Sequence, residues 1–357
     1  MIEHYTGWLE GFETAGIDTF ILLKIPQDPS HVVIVGISDD DYKEYFAETS
    51  PLNPGKLQEI IDAIALAGPK VIGVDLDTSS EGMQEIRASA YWPPIVWAQD
   101  AVMRDQRLEA LPAHGGKLHR RSDDMGISVL EQDADGIIRR YFRKFPVHGE
   151  RTKSFPWAVV LAYCKDELKG SCGVVAENAS HPPKVLLLNF SGERYDFSPL
   201  SAKYVLTVSK EKAWRTNGPF RNKIVLLGGF YRAARDVHVT PVGQMAGVQL
   251  MAQAIESELS GGGIRLTNEL VGISLDIMAG ILLVLLHYHF PRKAFVLNLA
   301  AVPIFSLFAS YIAFSTMSRW FNFVPIALGV LIHELHERNK EYRQLKAEVA
   351  SLRSRYG

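Results

Sequence analysis

Short apolar runs of strand length and longer runs of helical spacing alternate through the first two-thirds of the chain. Residues 31–38 and 70–76 are rich in β-branched side chains, and residues 55–67 between them repeat apolar residues on one helical face. This order predicts parallel strands joined by a right-handed crossover. The sequence therefore predicts an α/β domain over residues 1–265, with an open, mostly parallel sheet. Further strands are predicted at 94–98, 137–145, 184–190 and 223–228, and further helices at 154–168 and 247–259.

The pattern changes after residue 269, where charge almost disappears. Three apolar runs follow closely, at about 270–290, 294–317 and 320–335. Because about 20 apolar residues cross a bilayer as a helix, these runs predict an all-α block of three transmembrane helices. Asp276 lies inside the first run, where a carboxylate marks either a functional group or a polar contact with a neighbouring helix.

Residues 336–357 are basic and form a predicted cytoplasmic stub, either amphipathic or coiled-coil. Apolar residues recur there at alternating steps of three and four, with one polar member. This spacing is typical of a coiled-coil seam, and an amphipathic helix lying on anionic lipid is the alternative. We expect at least a dimer if the seam is used. The seam consists of Leu335, Arg338, Tyr342, Leu345, Val349 and Leu352.

Lysine and arginine in the flanks of the apolar runs predict the orientation. Arg292 and Lys293 follow the first run, and several basic residues follow the third, so both flanks lie on one side, predicted to be cytoplasmic. The large domain is then extracytoplasmic, on a multi-pass protein of the inner (plasma) membrane. Its export requires a first span upstream of this sequence, and a cytoplasmic domain despite the charge bias is the alternative.

The overall composition adds only a few constraints. The chain has 357 residues, 47 % of them hydrophobic, and a formal net charge of -2, which gives no support to nucleic-acid binding. Its two cysteines, Cys164 and Cys172, are either separate thiols or, in an oxidising compartment, a disulfide. No catalytic motif and no metal-ligand cluster stands out, so no enzyme activity and no metal site are predicted, and the cofactor is unknown.

Polar residues follow the predicted strands at their carboxyl ends, where open α/β sheets bind ligands. They could bind a cation or cationic ligand, cap helices and tie loops, or act as an acid/base pair. The enzyme hypothesis would use Asp39, Asp75 and Asp236. The candidate ligand-binding residues are Asp39, Asp75, Asp77, Gly229, Asp236 and Thr240.

Several ordered motifs resemble the type-two CHASE domain, the cyclase/histidine-kinase-associated sensory extracellular domain. They are the D-x-D-G-x-x-R-R element at 133–140, the strand 223–228, and the segment 236–252 with its Thr-Pro-x-Gly and Ala-Gly-Val steps. The resemblance covers roughly residues 8–262. It implies a sensory domain outside the cell, a first span, three further spans and a cytoplasmic output. This sequence departs from the family pattern at 50–55, at 229–231 and at Met251.

Two functional hypotheses follow. The first is a membrane-bound sensory or regulatory subunit whose outer domain senses a ligand or partner and signals through three transmembrane helices. The alternative is an oligomeric membrane structural or effector protein, with Asp276, Asn298 and Ser306 facing a polar central path. The expected partners are the lipid bilayer, further copies of this chain and a cytoplasmic output protein, and no nucleic acid.

Overall fold

The structure is a computed structural model, and its chain divides into two units. A helical unit comprises Met1–Phe20 and Arg265–Gly357, and an α/β unit comprises Ile21–Ile264. The described residues are 2–24, 30–104, 107–111, 125–147, 149–165, 172, 175, 185–190, 197–267, 269–290, 302–322 and 324–356.

The described elements are short strands and mostly longer helices. The strands are β1 Val32–Ile37, β2 Val71–Asp75, β3 Ile95–Gln99, β4 Ala101–Arg104, β5 Arg107–Ala110, β6 Met125–Ile127, β7 Arg140–Tyr141, β8 Lys144–Val147, β9 Glu150–Lys153, β10 Leu186–Leu187, β11 Leu200–Ser201, β12 Ile224–Gly229, β13 Val237–Thr240, β14 Gly243–Ala246, β15 Ile264–Leu266 and β16 Arg319–Trp320. The helices are α1 Ile2–Leu23, α2 Asp39–Phe46, α3 Pro54–Ala65, α4 Phe155–Tyr163, α5 Ala202–Val208, α6 Lys212–Asn217, α7 Gly247–Leu259, α8 Glu269–His289, α9 Val302–Met317 and α10 Val324–Tyr356.

Six parallel strands form the central sheet of the α/β unit, in the order β11–β1–β12–β2–β3–β6. The predicted α/β class and the mostly parallel sheet are therefore confirmed. The strands predicted at 31–38, 70–76, 94–98 and 223–228 are β1, β2, β3 and β12, each within one or two residues of its predicted bounds. Helix α7 spans the predicted residues 247–259.

Both faces of this sheet are covered by helices. Val35 and Ile37 of β1 join one core with α3 and α5, whereas Val32 and Ile34 join a second core with α4 and α7. Because successive side chains on a strand point to opposite faces, a doubly covered strand needs apolar residues at nearly every position. This is why the strands appear in the sequence as continuous apolar runs.

The run 184–190 does not extend the central sheet. Among its described residues, 185–190, Leu186–Leu187 forms the strand, and it pairs antiparallel with β7. The backbone N–H of Asn189 donates to the Ser257 hydroxyl at 3.0 Å, so at this residue α7 takes the place of a neighbouring strand. The segment predicted as one strand, 137–145, contributes to two strands, β7 and β8. The latter belongs to a second sheet in the order β4–β5–β8–β9.

Cys164 and Cys172 form a disulfide, which decides between the two alternatives left open by the sequence. The bond ties the end of α4 to Cys172, and both residues are buried in the core between the sheet, α4 and α7.

The helical unit is held by an aromatic cluster. The ring of Phe20 contacts the rings of Tyr311, Phe314 and Trp320 edge to face, at centroid distances of 5.3–5.6 Å. Trp320 is 1 % exposed, and its indole N–H donates to Glu13 at 3.1 Å. A groove of about 560 Å³ lies between α8 and α9, and Met278, Leu282, Phe305 and Phe321 are among its apolar lining.

In the part of the chain that the structure describes, no helix is both long enough and apolar enough to cross a membrane. The predicted spans at 270–290, 294–317 and 320–335 are therefore not supported. Helix α9 has 16 residues, about 24 Å, against a hydrocarbon core of about 30 Å. The third predicted span and the predicted tail are one helix, α10, which carries charge after Leu335.

The polar central path predicted for the alternative hypothesis is largely outside the described side chains. Residues 291–301, including Asn298, and the side chain of Asp276 are not described. The hydroxyl of Ser306 donates to the Val302 carbonyl oxygen of its own helix at 2.8 Å. The described contact of Ser306 is therefore a local one.

Candidate functional site

The carboxyl ends of four neighbouring parallel strands, β1, β12, β2 and β3, lie along one edge of the central sheet. Strand β1 leads into α2, whose first turn is fixed by reciprocal hydrogen bonds between Ser38 and Asp41. Strand β2 ends at Asp75, β3 is followed by Asp100, and β12 ends at Gly229. Parallel pairing thus brings residues distant in sequence to one edge, called here the acidic edge.

Asp75 is the most perturbed carboxyl group of the acidic edge. The hydroxyl of Ser128, which follows β6, donates to its Oδ1 at 2.8 Å. The pKa of Asp75 is raised to about 7, chiefly by burial, with smaller increases from the negative charges of Asp236 and Asp100; the Ser128 hydrogen bond and His238 act in the opposite direction. Asp75 therefore changes charge near neutral pH.

Asp236 approaches the acidic edge from the loop before β13. Its carboxylate contacts the His238 ring nitrogen Nε2 at 2.8 Å, and its carbonyl oxygen accepts the backbone N–H of Gly247 at 3.0 Å. A Cβ atom added to Gly247 would lie 2.1 Å from the Oδ2 atom of Asp236. Because Gly247 has no Cβ atom, the Asp236 carboxylate can lie against the first residue of α7.

Asp77 and Asp100 complete a group of four carboxylates. The Oδ1 atom of Asp77 accepts the backbone N–H of Ser79 at 2.9 Å. Burial raises the pKa of Asp100, and the charges of Asp77 and Asp236 add to the shift. A cavity of about 10 Å³ separates the ends of β2 and β3, which is room for about one water molecule. A larger ligand therefore has to bind over the edge or open it.

Two tyrosines flank the carboxylates on the β12 side. The ring of Tyr231 stacks on Tyr42 of α2 at a centroid distance of 4.2 Å. Burial raises the pKa of Tyr231, and the nearby tyrosine and carboxylates add to the shift. A Cβ atom on Gly229 would lie 2.9 Å from the Tyr231 ring, so glycine permits this close approach. Asp39 lies outward, where it accepts the backbone N–H of Arg232 at 2.7 Å.

The structure brings three of the predicted ligand-binding residues together, namely Asp75, Asp77 and Asp236. Thr240 lies instead at the turn of the β13–β14 hairpin, where it is 4 % exposed. Its hydroxyl donates to the Gly243 carbonyl oxygen at 2.7 Å and accepts the backbone N–H of Val242 at 3.3 Å. The described contacts of Thr240 therefore stabilise a turn.

Sequence reasoning missed Asp100, His238 and Ser128. Asp100 follows β3 directly, so extending the carboxyl-end rule to the predicted strand at 94–98 would have identified it. His238 is two residues from Asp236 in an exposed strand, and this spacing by itself carries no signal. Ser128 is 53 residues from Asp75, and only the sheet order brings them together.

Among the described residues, no group of three or more His, Cys, Asp or Glu side chains is placed to hold a metal ion.

The D-x-D-G-x-x-R-R motif has a structural explanation. Arg139 is 1 % exposed and pairs with Asp133 at 3.0 Å and with Asp135 at 2.8 Å. Gly136 between them has a φ angle of +79°, a conformation that favours glycine. The motif therefore folds a tight turn around a buried guanidinium group.

Open α/β sheets that bind ligands do so at the carboxyl edge, where this chain gathers polar side chains. A model of the CHASE2 domain family matches residues 2–286. The chain belongs to the CHASE2 domain family, whose domains are sensory domains of signalling proteins. No curated protein and no solved structure matches the chain.

Proposed function

We propose that this chain is a sensory or regulatory protein whose α/β unit binds an organic cation at the acidic edge. The observation that carries the proposal is the concentration of four carboxylates there, at least two of them desolvated and with raised pKa values. Perturbed carboxyl groups at the carboxyl edge of an open sheet are candidates for a functional site. We propose binding and no catalytic step.

The chemistry of the edge favours an ammonium or guanidinium group as the ligand. A cation relieves the repulsion among the carboxylates, and the ring of Tyr231 beside them offers a surface for cation–π contact. A proton and the cation compete for Asp75, because its pKa is about 7. The affinity for the cation is therefore expected to rise as the pH increases through 7.

The test is calorimetric titration of the full chain with a panel of spermidine, putrescine, arginine and choline at pH 6 and pH 8. Gly247→Ala displaces the Asp236 carboxylate without removing its charge, and we expect it to weaken binding about tenfold or more. Gly82→Ala is the matched control, since an added Cβ there meets no atom within 4 Å. Equal affinities of the two variants, or no binding by the wild type at either pH, would contradict the proposal.

We further propose that the α/β unit faces an extracytoplasmic compartment. The disulfide between Cys164 and Cys172 supports this, because such bonds persist in oxidising compartments. The test is labelling of Lys212→Cys, an exposed site on α6, with an impermeant maleimide in intact cells. Lys340→Cys on α10 is the control for the opposite side. Labelling of position 340 but not of 212 from outside would reject this orientation.

Signal transmission through a membrane to a cytoplasmic output protein completes the proposal. Large apolar side chains exposed on α8 and α9 support a lipid-facing role, since such patches mark membrane or protein contacts. The length and apolar character of the described helices do not support transmission through a membrane. Resistance of the full chain to alkaline extraction from membranes is the expected result, and complete release would overturn it. The side chains are Val271, Ile273, Ile277, Met278, Ile281, Leu282, Val284, Leu285 and Tyr288 on α8, and Ile304, Phe305, Leu307, Phe308, Ile312 and Met317 on α9.

A further inference from the structure

The C-terminal part of α10 is a long helix with every described side chain in solvent. The helix continues unbroken from Val324 to Tyr356, and each described side chain from residue 338 to residue 352 is exposed. An isolated helix of this length is only marginally stable in water, and helices in proteins are stabilised chiefly by packing. This segment is therefore expected to pack against another helix.

The exposed segment carries a heptad seam on its helical backbone. With Leu335 at position a, the residues at positions a and d fall on one stripe over nearly three heptads. Five of the six are large apolar or aromatic residues, and they are 48–67 % exposed. A solvent-exposed apolar stripe with this period is suited to the same stripe on a second helix. The stripe consists of Leu335, Arg338, Tyr342, Leu345, Val349 and Leu352.

The charges beside the seam favour a second copy of this chain as the partner, with the two helices parallel. Glu341 and Glu348 occupy the g positions, and Lys346 occupies the following e position, with Arg353 at the next e position of the sequence. In a parallel, in-register pair, each g residue meets the e residue of the next heptad on the other helix. Glu341 then faces Lys346 of the partner subunit. An antiparallel pair would place glutamates against glutamates.

We propose that residues 335–352 of two copies of this chain form a parallel, in-register, two-stranded coiled coil. Arg338 at a d position and Tyr342 at an a position interrupt the aliphatic seam, and polar members of a seam fix register and strand number at some cost in stability. The inference does not depend on cation binding, because the acidic edge lies in the α/β unit. The two proposals therefore fail separately.

Disulfide cross-linking of the full chain tests direction and register. Both native cysteines are already paired with each other, so introduced cysteines report only on themselves. We expect Leu335→Cys and Leu352→Cys each to cross-link with its own copy, because core positions of a parallel pair bring Cα atoms within the roughly 4.4–6.8 Å reach of a disulfide. Ala347→Cys, at the outward f position, is the matched control. Cross-linking of Leu335→Cys only with Leu352→Cys would show antiparallel pairing and overturn the proposal.

Charge reversal tests the proposed pairing between the g and e positions. Glu341→Lys and Lys346→Glu should each lower the yield of Leu352→Cys cross-linking about tenfold, because each places like charges together twice. An equal mixture of the two variants should recover the wild-type yield through mixed dimers. Sedimentation should give two 39.8-kDa chains for each particle. Failure of the mixture to recover, cross-linking at Ala347→Cys as strong as at the core positions, or three chains in a particle would reject the proposal.

Discussion

The α/β unit places carboxylates close to other charged or polar groups in two regions, and the surroundings of the two regions differ. On the C-terminal half of α7, Glu256 and Glu258 are 2 % and 0 % exposed and lie against cationic or N–H partners. At the acidic edge, the half-buried Asp75 accepts a hydrogen bond from the Ser128 hydroxyl, and the charges of Asp236 and Asp100 lie nearby. In the first region the carboxylates are stabilised by cationic or N–H partners. In the second region they are destabilised by the negative charges of their neighbours.

The compensated region has a donor for each buried carboxylate. The guanidinium group of Arg143, 2 % exposed, donates to both oxygens of Glu258 at 2.7 and 2.6 Å. Glu256 accepts the backbone N–H groups of His31 and Val32 at the start of β1. These carboxylates therefore join α7 to neighbouring segments, and their role is structural.

The difference shows how to separate structural from functional charge. A buried charge with a full set of partners is costly to break and has little capacity left for a ligand. A buried carboxyl group among like charges destabilises the fold when ionised, and a bound cation removes that cost.

The largest effect is expected from Arg143→Met. It leaves Glu258 buried without its cation, so the free energy of unfolding should fall by about 3–5 kcal/mol. Urea unfolding of the full chain, followed by tryptophan fluorescence, measures the loss. The control is Lys144→Met, the exposed neighbour, and the double variant Arg143→Met/Glu258→Leu should regain part of the loss. A loss no larger than that of the control would contradict the structural role of the pair.

Asp75→Asn should act in the opposite direction above neutral pH. The folded pKa of about 7 exceeds the ordinary value of 3.8, so the folded state keeps a proton that the unfolded state has lost, and wild-type stability falls as pH rises between these values. At pH 8 the variant should be more stable than the wild type by up to about 4 kcal/mol.

Urea unfolding of the full chain at pH 5 and pH 8 measures this gain. Asp39→Asn is the control, since the Asp39 side chain is 53 % exposed beside Arg232. If Asp75→Asn and the wild type lose the same stability between pH 5 and pH 8, the acidic edge does not differ from ordinary surface carboxylates. The contrast with the region around Glu258 would then fail.

The sequence predicted the central sheet well and the acidic edge only in part, for physical reasons. A strand covered on both faces, such as β2, leaves an apolar run whose end marks the edge, so Asp75 and Asp77 were accessible to prediction. The partner of Asp75, Ser128, depends on β6 lying beside β3, and strand order leaves no local signal. The run 184–190 has a similar apolar pattern, but at Asn189 the side chains of Ser257 and Gln253 on α7 satisfy the backbone.

A smaller effect is expected at the hairpin beside the acidic edge. Thr240→Val removes two hydrogen bonds of a buried hydroxyl, so the free energy of unfolding should fall by about 1–2 kcal/mol. Spermidine affinity, measured by calorimetry, should stay the same, because the described contacts of Thr240 belong to the turn. An affinity loss as large as that of Gly247→Ala would return Thr240 to the ligand-binding residues.

The smallest effect is expected from Ser128→Ala, and it sharpens the contrast most directly. The hydroxyl of Ser128 favours the ionised form of Asp75, so its loss should raise the pKa of Asp75 above 7. Stability should then continue to fall to a higher pH than in the wild type, and at pH 8 the variant should be about 1 kcal/mol less stable. Unfolding free energies at half-unit pH steps from 6 to 9 measure the shift. Ser79→Ala is the control, because the backbone N–H that Asp77 accepts is retained in alanine. A midpoint that moves down, or moves equally in the control, would mean that Ser128 does not tune the buried carboxyl group.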